Sequence, residues 1–204
     1  MKQSNAFLLI FLLSFFVISM FFVSCALISF TVETIAWQAD IDGYTQFKTN
    51  NEDYLGVSQL IWDAGSNEAT MNVFELEIKK NTGMNNVGFG GIFCVQDEDN
   101  FFRILIHENG RYNIYKKITG TWHEIRDWTA SSHLLEGYGE SNIIRVEYMG
   151  GNNFDIYFNN QFIETINDTA FTGGMYGFYT GISTLEEFPD IPVDVRFKRL
   201  QPAP

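Results

Sequence analysis

What most constrains this chain is a missing period: beyond residue 30 its apolar residues never recur at sustained helical spacing. Val, Ile, Phe, Tyr and Trp come instead in short runs cut by Gly, Asn and Asp. Runs of that kind read as strands bounded by turn formers. They are "ETIAWQAD", "VSQLIWD", "MNVFELEIKK", "VGFGGIFCVQ", "NFFRILIH", "RYNIYKKI", "TWHEIRDW", "NIIRVEYM", "FDIYF", "QFIETI", "MYGFYT" and "VDVRFKRL". So many short strands in one domain of about 175 residues predict an all-β chain, folded as an antiparallel sandwich or barrel. The prolines fall in "FPDIP" and "QPAP", outside the strand interiors, as a sheet requires.

Three turns set the register. In "FNNQ", Asn159 and Asn160 tolerate the positive φ of a two-residue hairpin, which places Phe154, Ile156, Phe158 and Ile163 on one face. In "HENGRY", a two-residue loop would mix polar and apolar residues on each face. A three-residue loop over Glu108, Asn109 and Gly110, with Gly110 left-handed, sorts them. Phe102, Ile104, Ile106, Tyr112 and Ile114 then face the core. Phe101, Arg103, Leu105, His107, Asn113, Tyr115 and Lys117 face away from it. A further two-residue loop at Thr119-Gly120 places Ile125 inward. It places Trp122, Glu124, Arg126 and Trp128 on the outward face with Arg103 and Tyr115.

The first thirty residues belong to another regime. Residues 6–30 are almost wholly apolar after the single charge of Lys2, long enough to cross a hydrocarbon core. A signal peptide also has a basic start and an apolar centre. The stretch "FVSC" resembles the lipobox of bacterial lipoproteins, which marks Cys25 for lipidation. We therefore divide the chain into a signal peptide or anchor over 1–30 and one β-sandwich domain over 31–204. The expected address is extracytoplasmic, membrane-anchored in a bacterial cell envelope. Without Lys2 the rest holds 12 basic and 25 acidic side chains, a charge of −13. That balance argues against nucleic acid and against anionic lipid surfaces as partners. With Cys25 committed, Cys94 has no disulfide partner and is expected to behave as a small hydrophobe.

Three groups of side chains are candidates for chemistry. Asp97, Glu98, Asp99 and Asn100 form an acidic knot, but calcium wants six or more oxygens and one turn supplies too few. Asp and Asn at a reversal are explained by local backbone hydrogen bonding, so no metal or other cofactor is expected. Glu75 and Glu77 alternate with Phe74, Leu76 and Ile78, which predicts a solvated strand face. The third group is Arg103, Tyr115, Trp122, Glu124, Arg126 and Trp128. Aromatic rings that take the apolar face of a sugar, beside polar groups for its hydroxyls, make these the candidate ligand-binding residues. The competing reading is a second core layer, covered by a loop such as "SSHLLEGYGES".

The run "GGIFCVQDEDNFFRILIHENGRYNIYKKITGTWHEIRDWT", with "NIIRVEYMGGNNFDIYFNNQFIETI", "GGMYGFYT" and "VDVRFKRL", resembles concanavalin A-like lectin/glucanase domains. Within that superfamily it is similar to the laminin-G-like and 3-keto-disaccharide hydrolase-like group of bacterial exported proteins. The resemblance spans roughly residues 73–200 and implies a jelly-roll sandwich of two antiparallel sheets. It implies a glycan or a protein partner, or a glycoside-processing activity. The glucanase motif E-x-D-x-x-E is absent: after Glu75 and Glu77 its third acid falls at Lys80. The expectation is a tethered domain that binds a glycan. The alternatives are an adhesive lipoprotein with a protein partner, or a hydrolase drawing on Glu75, Glu77, His107 and His123.

Overall fold

The computed structural model describes residues 37–39, 43–49, 59–62, 73–83, 88–180 and 193–200. Residues 1–30 and Cys25 lie outside them. In chain order the strands begin with β1 (Trp37–Ala39), β2 (Thr45–Thr49), β3 (Gln59–Trp62), β4 (Val73–Thr82) and β5 (Phe89–Asp97). They continue with β6 (Asn100–Ile106), β7 (Arg111–Ile118), β8 (Thr121–Ala130) and β9 (Asn142–Gly150). The last four are β10 (Asn153–Phe158), β11 (Gln161–Asn167), β12 (Met175–Thr180) and β13 (Val193–Arg199). Among the described residues there is no helix able to cross a membrane.

The strands form a jelly-roll sandwich. A seven-stranded sheet has the order β1-β2-β13-β4-β9-β10-β11, and a six-stranded sheet the order β3-β12-β5-β6-β7-β8. Strand β2 was not expected, because "TQFKT" carries one apolar residue. That residue, Phe47, is fully buried, and β2 pairs with both β1 and β13.

Alternation builds the core. On β4, Phe74, Leu76 and Ile78 point inward while Glu75, Glu77 and Lys79 do not. Phe102, Ile104, Ile106, Tyr112 and Ile114 face the same core, as the "HENGRY" register predicts. At its centre the Phe102 ring lies 5.2 Å from Phe93, 5.5 Å from Phe154 and 5.4 Å from Phe171. Offset and edge contacts at such distances add to the burial of these large rings.

The turns take the expected forms. Ile106 pairs with Tyr112 and the His107 N–H donates to the Arg111 carbonyl at 2.8 Å, leaving a three-residue loop in which Gly110 has φ +74°. Ile118 pairs with Thr121 around Thr119 and Gly120, at φ +49° and +79°. Phe158 pairs with Gln161 around Asn159 and Asn160, both at positive φ. The acidic knot is the β5–β6 reversal. Asp97 Oδ1 accepts hydrogen bonds from the Asp99 backbone N–H and from Asn100 Nδ2, both at 2.8 Å.

Bulges alter both edges, and β8 carries two, one of them where Asn113 stands against Asp127 and Trp128. On β8, Tyr115 pairs with Glu124 but Ile114 pairs with Arg126, so Ile125 is an extra residue. On β11, Tyr157 pairs with Phe162 but Ile156 pairs with Glu164, so Ile163 is extra. Ile125 and Ile163 both pack partly against the core. The residue after each is thereby turned to the inner side. Arg126 and Glu164 meet there, between the edge strands of opposite sheets, with Arg126 Nη2 at 2.5 Å and Nε at 3.1 Å. Tyr112 Oη also donates to Glu164, at 2.7 Å. Lys116 and Asp168 add a second ion pair at 2.6 Å.

Burial of Glu164 would by itself raise its pKa. The hydrogen bonds from Arg126 and Tyr112, with the Arg126 charge, outweigh burial and hold it below the ordinary carboxylate value. A depressed folded pKa means stabilisation that is complete above the unfolded value, about 4.3, and lost as pH falls through the folded one. Glu164→Gln should therefore cost about 1 kcal/mol at neutral pH. It should also flatten the fall in urea midpoint between pH 6 and pH 3 relative to the parent; an unchanged acid slope would show that the pair adds nothing.

Candidate functional site

The outer face of the six-stranded sheet is where the candidate residues fall, and that face is only partly solvated. Ile92, Val95, Phe101, Leu105 and Tyr179 form a second buried apolar cluster on it, with Trp128 and Met175 packed against them. Both faces of β6 are therefore covered, and its side chains read as two interleaved apolar sets.

Arg103 breaks the outer set. Pairing places it opposite Ile92 of β5 and Tyr115 of β7, and places Tyr115 opposite Glu124 of β8. Its guanidinium carbon lies 4.2 Å from the Trp122 ring centroid, 4.9 Å from Tyr179 and 5.4 Å from Tyr115. Arg103 Nη1 donates to Tyr179 Oη at 3.0 Å. A cation so placed is held by the ring quadrupoles, each contact contributing about 0.5–2 kcal/mol according to its desolvation. Tyr179 reaches this point across Gly90, its pairing partner on β5. A Cβ at Gly90 would meet the Ile104 carbonyl oxygen at 2.1 Å, so only glycine fits there against the β6 backbone.

Trp122 forms the rim. It meets Phe101 edge-on at 5.6 Å and Tyr179 at 6.4 Å, and it keeps 40% of its surface exposed. Beside it Lys117 is held by Asp99 at 2.7 Å and donates to the Glu98 carbonyl at 3.1 Å. The acidic turn thus fixes a lysine next to the aromatic cage. Tyr115 Oη donates to Glu124 Oε2 at 3.0 Å. Partial burial, and then Glu124, push the Tyr115 phenol upward, so it stays a neutral donor.

Of the candidate residues, Arg103, Tyr115, Trp122 and Glu124 come together. Trp128 shares the face but sits at its other end, edge-on to His107 at 5.5 Å and against the second apolar cluster. Arg126 does not belong to the site. The bulge at Ile125 turns it to the inner side, where Glu164 takes it. The loop over residues 131–141 does not cover Trp122. It packs over the β6–β7 turn, through Ser131 N to Gly110 O and Gly137 N to Glu108 O. The sequence reading missed Tyr179 as a site residue. Alternation in "MYGFYT" separates it from Tyr176 and Phe178, but nothing local announces that β12 lies beside β5.

The side chains a hydrolase would draw on are scattered. Glu75 faces away from the core opposite Arg145, and Glu77 accepts hydrogen bonds from Tyr44, at 2.7 Å, and from Ser141. His107 is buried with Glu108 and Lys80, at 3.5 Å and 3.2 Å from the same carboxylate oxygen. Burial first, with the nearby cations, holds His107 below its ordinary pKa against the pull of Glu108. His123 lies opposite Lys116 on β8. Cys94 sits in a β5 irregularity at φ +51°, half-buried, its thiol pushed up to about 12 by burial. It lines a pocket of about 30 Å³ with Phe93 and Tyr176, room for a water or two and not for a sugar ring.

The fold is the concanavalin A-like jelly roll. Solved structures share it, among them two that align over most of their own length. The carbohydrate binding module CBM66 from Bacillus subtilis aligns over 79% of this chain and 87% of its own, with 13% identity and a TM-score of 0.52. The beta-glucanase from Bacillus licheniformis aligns over 82% of this chain and 84% of its own, with 9% identity and a TM-score of 0.53. No family model matches the chain, and no curated protein matches its sequence.

The two tryptophans should separate by stability. Trp128→Ala removes a packed ring and should cost about 2–3 kcal/mol. Trp122→Ala should cost about 1 kcal/mol or less, being a rim residue. Urea midpoints of the two variants measure the difference, and equal losses would make Trp122 a core residue.

Proposed function

We propose that the domain binds a glycan on the outer face of the six-stranded sheet, with Trp122 as the stacking surface. The observation that carries this reading is a large, 40% exposed indole seated on a caged guanidinium. An exposed Trp would normally sample several rotamers. Contacts to Arg103, Phe101 and Tyr179 hold this one, so little entropy is left to lose on binding. The apolar face of a pyranose stacks on the ring while Tyr115, Glu124 and Lys117 offer hydrogen bonds to its hydroxyls. The shared fold with a module named for carbohydrate binding supports the same reading. The dispersal of Glu75, Glu77, His107 and His123 favours binding over hydrolysis.

A glycan array probed with the full chain tests it. The parent should retain at least one glycan class. Trp122→Ala should lower that affinity tenfold or more, about 1.4 kcal/mol, and Trp128→Ala should lower it less than threefold. Absence of binding by the parent, or binding indifferent to Trp122→Ala, would sink the reading.

We propose that residues 1–30 attach the domain to a membrane and that Cys25 is lipidated there, on the strength of the apolar run and "FVSC". Mass spectrometry of the membrane-extracted protein should find an acylated Cys25 as the first residue; an unmodified chain beginning at Met1 would refute it.

A further inference from the structure

The cage contains a cation that has no counter-charge among the described residues. Six cationic side chains each pair with a carboxylate: Lys80, Lys116, Lys117, Arg126, Arg145 and Arg196. Arg103 is half-buried, and among the described residues no carboxylate pairs with it. Its single hydrogen bond goes to the neutral Tyr179 hydroxyl, and its Nε is buried without a partner. Three aromatic rings displace its water. A charge withdrawn from water is costly unless it is paired.

We propose that the missing partner is on the ligand: the glycan bound at Trp122 carries an acidic sugar, whose carboxylate or sulfate pairs with Arg103. This rests on the glycan reading above and narrows its ligand class. The guanidinium presents a planar fork of donors that matches a two-oxygen anion, and it is favoured over an ammonium where water is scarce. The charge balance bounds the ligand further. The whole chain carries −12, and the Asp99 and Glu124 carboxylates lie close to the cage, on Lys117 and on Tyr115. At physiological salt such charges are felt within about 8 Å. They repel a polyanion but admit one acid seated on Arg103. The ligand is therefore a largely neutral saccharide with an isolated or terminal acidic residue, rather than a uniformly charged polymer.

Matched oligosaccharide pairs test the inference on the full chain in detergent micelles. A glucuronate-branched xylo-oligosaccharide is compared with its unbranched parent, and 3′-sialyllactose and 3′-sulfolactose are compared with lactose. In at least one pair the acidic member should bind tenfold or more tightly, and 0.5 M salt should shrink that preference. The carboxylate and sulfate arms identify the acid. Arg103→Gln should abolish the preference, so that within the variant the acidic member binds no more tightly than its neutral parent, as expected when one charge pair is removed. Arg103→Lys should keep part of it, which covers the case where Gln disturbs the cage. Neutral parents binding as tightly as their acidic partners would overturn this inference and leave the glycan reading intact. Binding to no member of any pair overturns both. A preference that survives Arg103→Gln also overturns the assignment to Arg103.

Discussion

The structure depends on β6 being buried on both faces. Phe102, Ile104 and Ile106 fill the space between the sheets, and Phe101 and Leu105 lie in the cluster on the other side. Side chains alternate with period two, so a slip of one residue would send Arg103 into a core of phenylalanine rings. That penalty locks the register of β6, and with it β5 and β7 on either side. Arg103 is therefore held at the centre of the outer face by packing it takes no part in. The aromatic cage then forms around a fixed point.

The edges obey a different constraint. Strands β8 and β11 end their sheets, and each would present a row of unpaired backbone groups. Each carries a bulge, at Ile125 and Ile163, which disrupts the regular edge and turns the next side chain inward. Because Arg126 and Glu164 carry opposite charge, the two devices meet and close one side of the sandwich. The same bulge that protects the edge removes Arg126 from the ligand face. Edge protection and site composition are thus one decision in this fold.

The legible parts of the fold were those written in local chemistry. The Glu108-Asn109-Gly110 loop, the Asn159-Asn160 hairpin and the Thr119-Gly120 turn each follow from residues within a few positions, because positive φ and two-faced sorting leave few options. The grouping of Arg103, Tyr115, Trp122 and Glu124 follows from those turns, since alternation carries a face along each strand. Arg126 went astray where alternation did, at a bulge with no Gly or Pro to announce it. Strand β2 was hidden because "TQFKT" has a strand's period but only Phe47 for its apolar set. Tyr179 joins Arg103 across a separation of 76 residues, a pairing no turn chemistry encodes.

By itself the sequence determined an all-β chain, the register of β6 on β7 and of β7 on β8 as far as Glu124, the inward set of β4, β6 and β10, and an aromatic face with Arg103 in it. These rest on period-two patterning and turn stereochemistry, which act over a few residues. Tertiary structure alone decided that β12 lies beside β5, that Tyr179 completes the cage, that Asp99 holds Lys117 beside Trp122, and that Arg126 belongs to Glu164. The physical reason is common to all four. Sheet order and bulges are chosen by the packing of distant strands against one another, and a charge takes whichever partner that packing brings near. Arg103 is the residue to which packing brought three rings and, among the described residues, no carboxylate.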